Sequence, residues 1–73
     1  MKLRPLPYRR VAKRLREMGF QPIRQTGSHV MFEHADGRKT VVPKHPGEEI
    51  GRGLLRKIIK DVNVSVREFM ERI

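Results

Sequence analysis

The sequence predicts an α+β domain in the order α-β-β-β-α, with a short extra C-terminal helix and a three-stranded antiparallel sheet. Three observations predict it. Apolar residues recur at helical spacing near both ends of the chain, while the middle alternates with a period of two between glycine-marked turns. A chain of 73 residues has room for one modest core, so residues 1–73 are read as a single domain. There is no cysteine and no cluster with metal-ligand spacing, so packed helices and strands must supply the stability.

The first helix is expected after Pro5-Leu6-Pro7. Tyr8, Val11, Ala12, Leu15 and Met18 share one face, and Arg9, Arg10, Lys13, Arg14 and Arg16 share the other. Gly19 is placed to end it as a C-terminal cap. Phe20 to Gln25 then reads as the first strand, with Pro22 arguing for a sheet edge. A turn at Thr26-Gly27 leads into a second strand, His29 to His34. Val30 and Phe32 point to one side of it, and His29, Met31 and Glu33 to the other. Ala35-Asp36-Gly37 is a hairpin signal that opens the third strand, Lys39 to Pro43.

The segment Lys44 to Glu49 reads as a loop, followed by a helix over roughly Gly51 to Val62. Its apolar stripe is Leu54, Leu55, Ile58, Ile59 and Val62, and its two early glycines weaken the first turn. Ser65 with Glu68 forms a capping box for the last helix, with Val64 and Phe69 as the hydrophobic staple. This order of elements is also that of the double-stranded-RNA-binding fold, whose members grip duplex RNA by shape through phosphates and 2′-hydroxyls.

Charge points the same way. Lys and Arg number 17 against 8 Asp and Glu, a formal net charge of +9. Met1 to Arg16 holds seven of the basic residues and no acidic one. Such an imbalance favours a polyanion, either nucleic acid or an acidic protein partner. No apolar run reaches the length of a membrane span and no signal peptide precedes the first helix, so the expected location is the cytoplasm, with no membrane partner.

Few residues could carry chemistry. Ser65 is taken by capping, Asp36 by a turn and Asp61 by a helix end, so no Ser-His-Asp set has convincing members. The carboxylates are scattered, which disfavours a two-metal nuclease site. Gly47, Gly51 and Gly53 lack the following Lys-Ser/Thr of a phosphate-binding loop. His34 reads as a hairpin residue, His45 as part of a rigid loop and Tyr8 as core.

His29 remains, at a turn-to-strand junction after Gly27-Ser28. An imidazole there could take the proton from an RNA 2′-hydroxyl or protonate the departing 5′-oxygen. Gly27 would let a phosphate approach closely, and the Ser28 hydroxyl or N–H could hold one of its oxygens. By residue type alone, however, His29 reads more economically as an ordinary strand histidine on a solvated face.

Four segments alter that balance: Gly27-Ser28-His29-Val30-Met31-Phe32, Asp36-Gly37-Arg38, Val42-Pro43-Lys44-His45, and Gly53-Leu54-Leu55-Arg56-Lys57-Ile58-Ile59-Lys60. With them the chain resembles the HicA (YcfA-like) family almost from end to end. The resemblance implies a toxin of a type II toxin–antitoxin pair, an mRNA interferase that cleaves mRNA without a metal and arrests translation. It implies a HicB-type antitoxin as partner, no cofactor, and His29 as the catalytic residue supported by Gly27 and Ser28. Arg9, Arg10, Lys13, Arg24, Lys44 and His45 are the side chains expected to meet RNA. Two other readings stay open, a non-catalytic RNA-binding module and a protein-interaction module read by an acidic partner.

Overall fold

The change of period along the chain becomes a change of backbone in the computed structural model, which describes residues 2–73. In chain order the elements are β1 (Leu6–Pro7), α1 (Tyr8–Glu17), β2 (Phe20–Thr26), β3 (His29–His34), β4 (Lys39–Pro43), β5 (Glu49–Ile50), α2 (Arg52–Asp61) and α3 (Val66–Met70). The predicted α-β-β-β-α order with an extra C-terminal helix holds. Strands β2, β3 and β4 form one antiparallel sheet in that spatial order, so Pro22 does lie on an edge strand. Among the described residues, no helix is long and apolar enough to cross a membrane.

The core lies between the helices and one face of this sheet. Val30 and Phe32 of β3 and Thr40 and Val42 of β4 are buried there. They pack against Val11, Ala12 and Leu15 of α1 and Leu55, Ile58 and Ile59 of α2. Phe20, Phe32 and Phe69 are fully buried and span the core from sheet to α3. Leu54 departs from its expected place in the α2 stripe and stays exposed.

Two further features differ from the sequence reading. Leu6–Pro7 and Glu49–Ile50, expected as lead-in and loop, pair antiparallel as a second, two-stranded sheet. Pairs this short carry no periodicity and arise because Leu6 and Ile50, both buried, meet in the core. Arg14 also leaves the basic outer face of α1 on which its spacing put it. It is buried, and it donates from Nε to the Phe69 carbonyl (2.9 Å) and from Nη2 to the Glu68 carbonyl (2.8 Å). These belong to the last turn of α3, whose carbonyls lack partners within the helix. A guanidinium fork can satisfy two of them at once.

Helix ends follow local chemistry. Gly19 takes φ 94° just past α1, and its N–H donates to the Arg16 carbonyl. Asn63 takes φ 59° past α2, with Asn63 N–H on the Lys60 carbonyl and Val64 N–H reaching toward that of Ile59. This is the Schellman pattern, with Asn in place of the usual glycine. Ser65 Oγ accepts from the Glu68 N–H at 3.0 Å, as the capping signature predicts.

The β3–β4 hairpin is tied to α2 by the Asp36-Gly37-Arg38 segment. Arg38 Nε bonds both Asp36 carboxylate oxygens, its Nη1 donates to the Val62 carbonyl at the end of α2, and its guanidinium lies 5.0 Å from the Phe20 ring centroid. A cation at a helix C-terminus also complements the helix dipole.

Candidate functional site

Helices cover one face of the sheet, and the other face presents three cross-strand rows. Pairing sets them as Gln21–Glu33–Lys39, Arg24–Met31–Val41 and Thr26–His29–Pro43. His29 is exposed in the last row, on the central strand, with β2 and β4 paired on either side. Among the described residues, none is hydrogen-bonded to its imidazole.

The turn behind His29 is built tightly. Thr26 pairs with His29 across a two-residue loop, Gly27-Ser28. Gly27 has φ 60° while Ser28 keeps an ordinary negative φ, the pattern of a type II′ turn suited to right-handed strand twist. The Gln25 side-chain amide donates to the Gly27 carbonyl at 3.0 Å, and the Lys44 N–H donates to the Ser28 carbonyl at 2.6 Å. A side chain at Gly27 would meet no atom within 4 Å, so the backbone angle, and not crowding within the protein, calls for glycine. The same open space admits a close-approaching ligand.

Of the cations expected to meet RNA, Arg24 is the one that register places on the same sheet face as His29. It is two residues from Thr26 on the same face, which makes it a diagonal neighbour of His29, about 7–8 Å away at the backbone and within reach of a long side chain. Met31 and Val41 complete the surround and give it an apolar floor, with Val41 38% exposed. Ile23, 53% exposed, sits at the irregularity in β2 between Pro22 and Arg24.

The remaining predicted residues fall elsewhere. Lys44 follows Pro43, and alternation sends it toward the helical side. Its Nζ lies 5.4 Å from the Tyr8 ring centroid. Burial raises the Tyr8 pKa, and the nearby charge of Arg16 opposes the shift. His45 is exposed in the following loop, where its carbonyl accepts from the Glu48 N–H. Arg9, Arg10 and Lys13 line a groove along α1 whose other lining residues do not include His29.

His34 is structural. Its Nδ1 accepts from the Asp36 N–H at 3.0 Å, and its ring meets Phe20 edge-on at 5.2 Å between centroids. An Nδ1 lone pair used this way carries no proton, so the 3.2 Å approach of the same atom to Asp36 Oδ1 becomes an ion pair only on protonation. The Asp36 carboxyl is held below its usual range, first by the Arg38 backbone N–H and then by the Arg38 side chain and charge. Among the described residues, no three of His, Asp and Glu stand close enough together to hold a metal ion.

Sequence reasoning misses Thr26 and the His29–Arg24 diagonal. Both follow from a two-residue hairpin loop at Gly27-Ser28, which fixes the register of β2 against β3.

Residues 8–64 match the model of a family described as HicA toxin of bacterial toxin-antitoxin. No curated protein matches the chain.

Proposed function

The chain belongs to the HicA toxin family, and from that premise we propose that it is an endoribonuclease that cleaves mRNA and arrests translation, with His29 as its general acid or base. The observation that carries the reading is the exposed His29 imidazole on the helix-free sheet face, diagonal to Arg24 and beside the Gly27-Ser28 turn.

The chemistry follows from that arrangement. As base, His29 takes the 2′-hydroxyl proton while the 2′-oxygen attacks the adjacent phosphorus. The bond to the 5′-oxygen breaks, leaving a 2′,3′-cyclic phosphate on one fragment and, once that oxygen gains a proton, a 5′-hydroxyl on the other. As acid, His29 supplies that last proton instead. Arg24 faces the non-bridging oxygens, where negative charge grows in the transition state. Gly27 and Ser28 offer the phosphate a close backbone approach, and the reaction needs no metal. His45, exposed in the loop after β4, meets the strand beyond the cleaved bond, while Lys44 lies toward Tyr8 on the helical side. The partner is a HicB-type antitoxin that covers this face, and the pair acts in the cytoplasm.

The test is expression of wild type and His29→Ala side by side, scoring growth and RNA integrity. The substitution should abolish arrest and lower cleavage by roughly two to four orders of magnitude. Folding and RNA affinity should be largely kept. Unchanged cleavage would remove His29 from the mechanism, and RNA binding with no cleavage by either chain would leave a binding module.

A further inference from the structure

The strongest feature outside the His29 face is on α1, where it gathers Arg9, Arg10 and Lys13 with residues from both ends of the chain. A groove of about 520 Å³ runs between α1 and the end of the chain, lined by Arg9, Arg10, Lys13 and Arg72 among others. A second depression toward β1 shares Arg9 and Arg10 and adds Arg4. The two depressions share Arg9 and Arg10, which stand between them, and together they are called the α1 channel.

The charges in this channel are free to act. Arg4, Arg9, Arg10, Lys13 and Arg72 are all exposed, and among the described residues none of them is in a salt bridge. Glu17, an acidic group on the lining, is already approached by Arg14 Nη1 at 3.5 Å. Arg14 in turn is occupied with the α3 carbonyls, so it is an internal brace and not part of the ligand surface.

Position adds a second argument. Arg9 and Arg10 stand in the first turn of α1, which has no acidic residue. The helix dipole is positive at that end, so two arginines there cost stability unless an anion lies between them. An incoming phosphate would be attracted by the dipole and by both guanidinium forks, which bind phosphate oxygens in pairs.

We infer that the α1 channel is a docking site for the phosphodiester backbone of RNA, separate from the His29 face. This rests on the reading of the chain as RNA-directed, and extends it to a surface that holds substrate without touching the cleaved bond. An acidic protein segment is the rival occupant. The exposed cations of the lining, Arg4, Arg9, Arg10, Lys13 and Arg72, outnumber its exposed carboxylates, Glu17 and Glu49. They are spread along α1 and both chain ends, which suits the evenly repeated charge of a phosphodiester backbone.

The test measures binding in a His29→Ala background, so the RNA stays intact and the outcome does not depend on cleavage. Fluorescence anisotropy of a labelled single-stranded RNA is followed against salt concentration for two triple variants. One is Arg9→Gln/Arg10→Gln/Arg72→Gln in the channel. The other is Arg52→Gln/Arg56→Gln/Lys60→Gln on exposed α2 positions, with the same change in net charge.

The channel triple should weaken binding about tenfold or more and lower the slope of log K against log salt by about 2, near 0.7 for each phosphate that is no longer neutralised. The α2 triple should change the slope far less. Should the channel triple melt early, Arg10→Gln alone carries the test, with a slope change of about 0.7. Equal weakening in both triples would reduce the effect to net charge and overturn the inference. So would unchanged RNA affinity in the channel triple, whether or not antitoxin binding is impaired.

Discussion

Arg14 on α1 holds the carbonyl of Phe69 on α3 at 2.9 Å, across 55 residues of chain. With the second bond to Glu68, it ties the C-terminal helix to the first one. Arg14→Leu keeps much of the apolar stem but leaves two carbonyls without donors. It should cost about 2–3 kcal/mol in urea denaturation, the scale of losing hydrogen bonds from a charged donor. Arg14→Lys, with a single ammonium, should fall between that variant and wild type.

Gly19 is constrained twice. Its φ of 94° disfavours any side chain, and a Cβ there would lie 2.8 Å from His34 Nε2. The His34 ring cannot easily give way, since it packs on Phe20 and accepts from the Asp36 N–H. Gly19→Ala should therefore destabilise by about 2–3 kcal/mol, more than the 1–2 kcal/mol of the backbone angle alone. Adding His34→Ala should recover part of the loss in a double-mutant cycle, because it frees the space.

Arg24 acts on cleavage more than on affinity if it faces the reacting phosphate. Arg24→Ala should lower single-turnover cleavage about 10²-fold, while RNA affinity in the His29→Ala background falls only by about what neutralising one phosphate contributes. Arg24→Lys should restore part of the rate, since the charge returns without the fork. A fall in affinity with an unchanged rate would remove Arg24 from the transition state.

Asp36 gives the fold an acid limit. Its folded pKa lies below the unfolded value, so its contribution is complete above the ordinary carboxylate range and fades as pH falls through the lowered folded value. The difference in Tm between wild type and Asp36→Asn should be constant above about pH 5 and shrink below about pH 4. The site is exposed, so added salt should narrow the difference as well.

Asn63 tests the end of α2. Asn63→Gly relieves the positive φ and should be neutral or stabilising by up to about 1 kcal/mol. Asn63→Val, with a branched Cβ at φ 59°, should cost about 1–2 kcal/mol in thermal unfolding.

The fold is legible where a period or a turn residue writes it. His29 to His34 and Lys39 to Pro43 can be read to the residue, because alternation and Asp36-Gly37 bound them. Ser65 can be read from its spacing to Glu68. The β1–β5 pair cannot, since two residues carry no period and the pairing depends on Leu6 and Ile50 meeting in the core. Arg14 misleads for a related reason. Spacing assigns a residue to a helix face by its type, whereas the carbonyls that draw Arg14 inward lie 54 and 55 residues away. Within the candidate site, His29 is visible as a residue and its neighbours only through register. The α1 channel needs the fold itself, because Arg4 and Arg72 come from opposite ends of the chain.

His29 stands on the middle strand, with a neighbour paired on each side and a turn at its back fastened through the carbonyls of Gly27 and Ser28. A residue mounted this way has its backbone held by hydrogen-bonded neighbours on both sides. On the proposed reading, the His29 face needs no rearrangement of these strands before it meets RNA. Restraint of the proposed activity would then come from outside, as a cover over the face, and last only while the cover stays on. For a cell carrying the proposed activity, the quantity to regulate would be the lifetime of the cover.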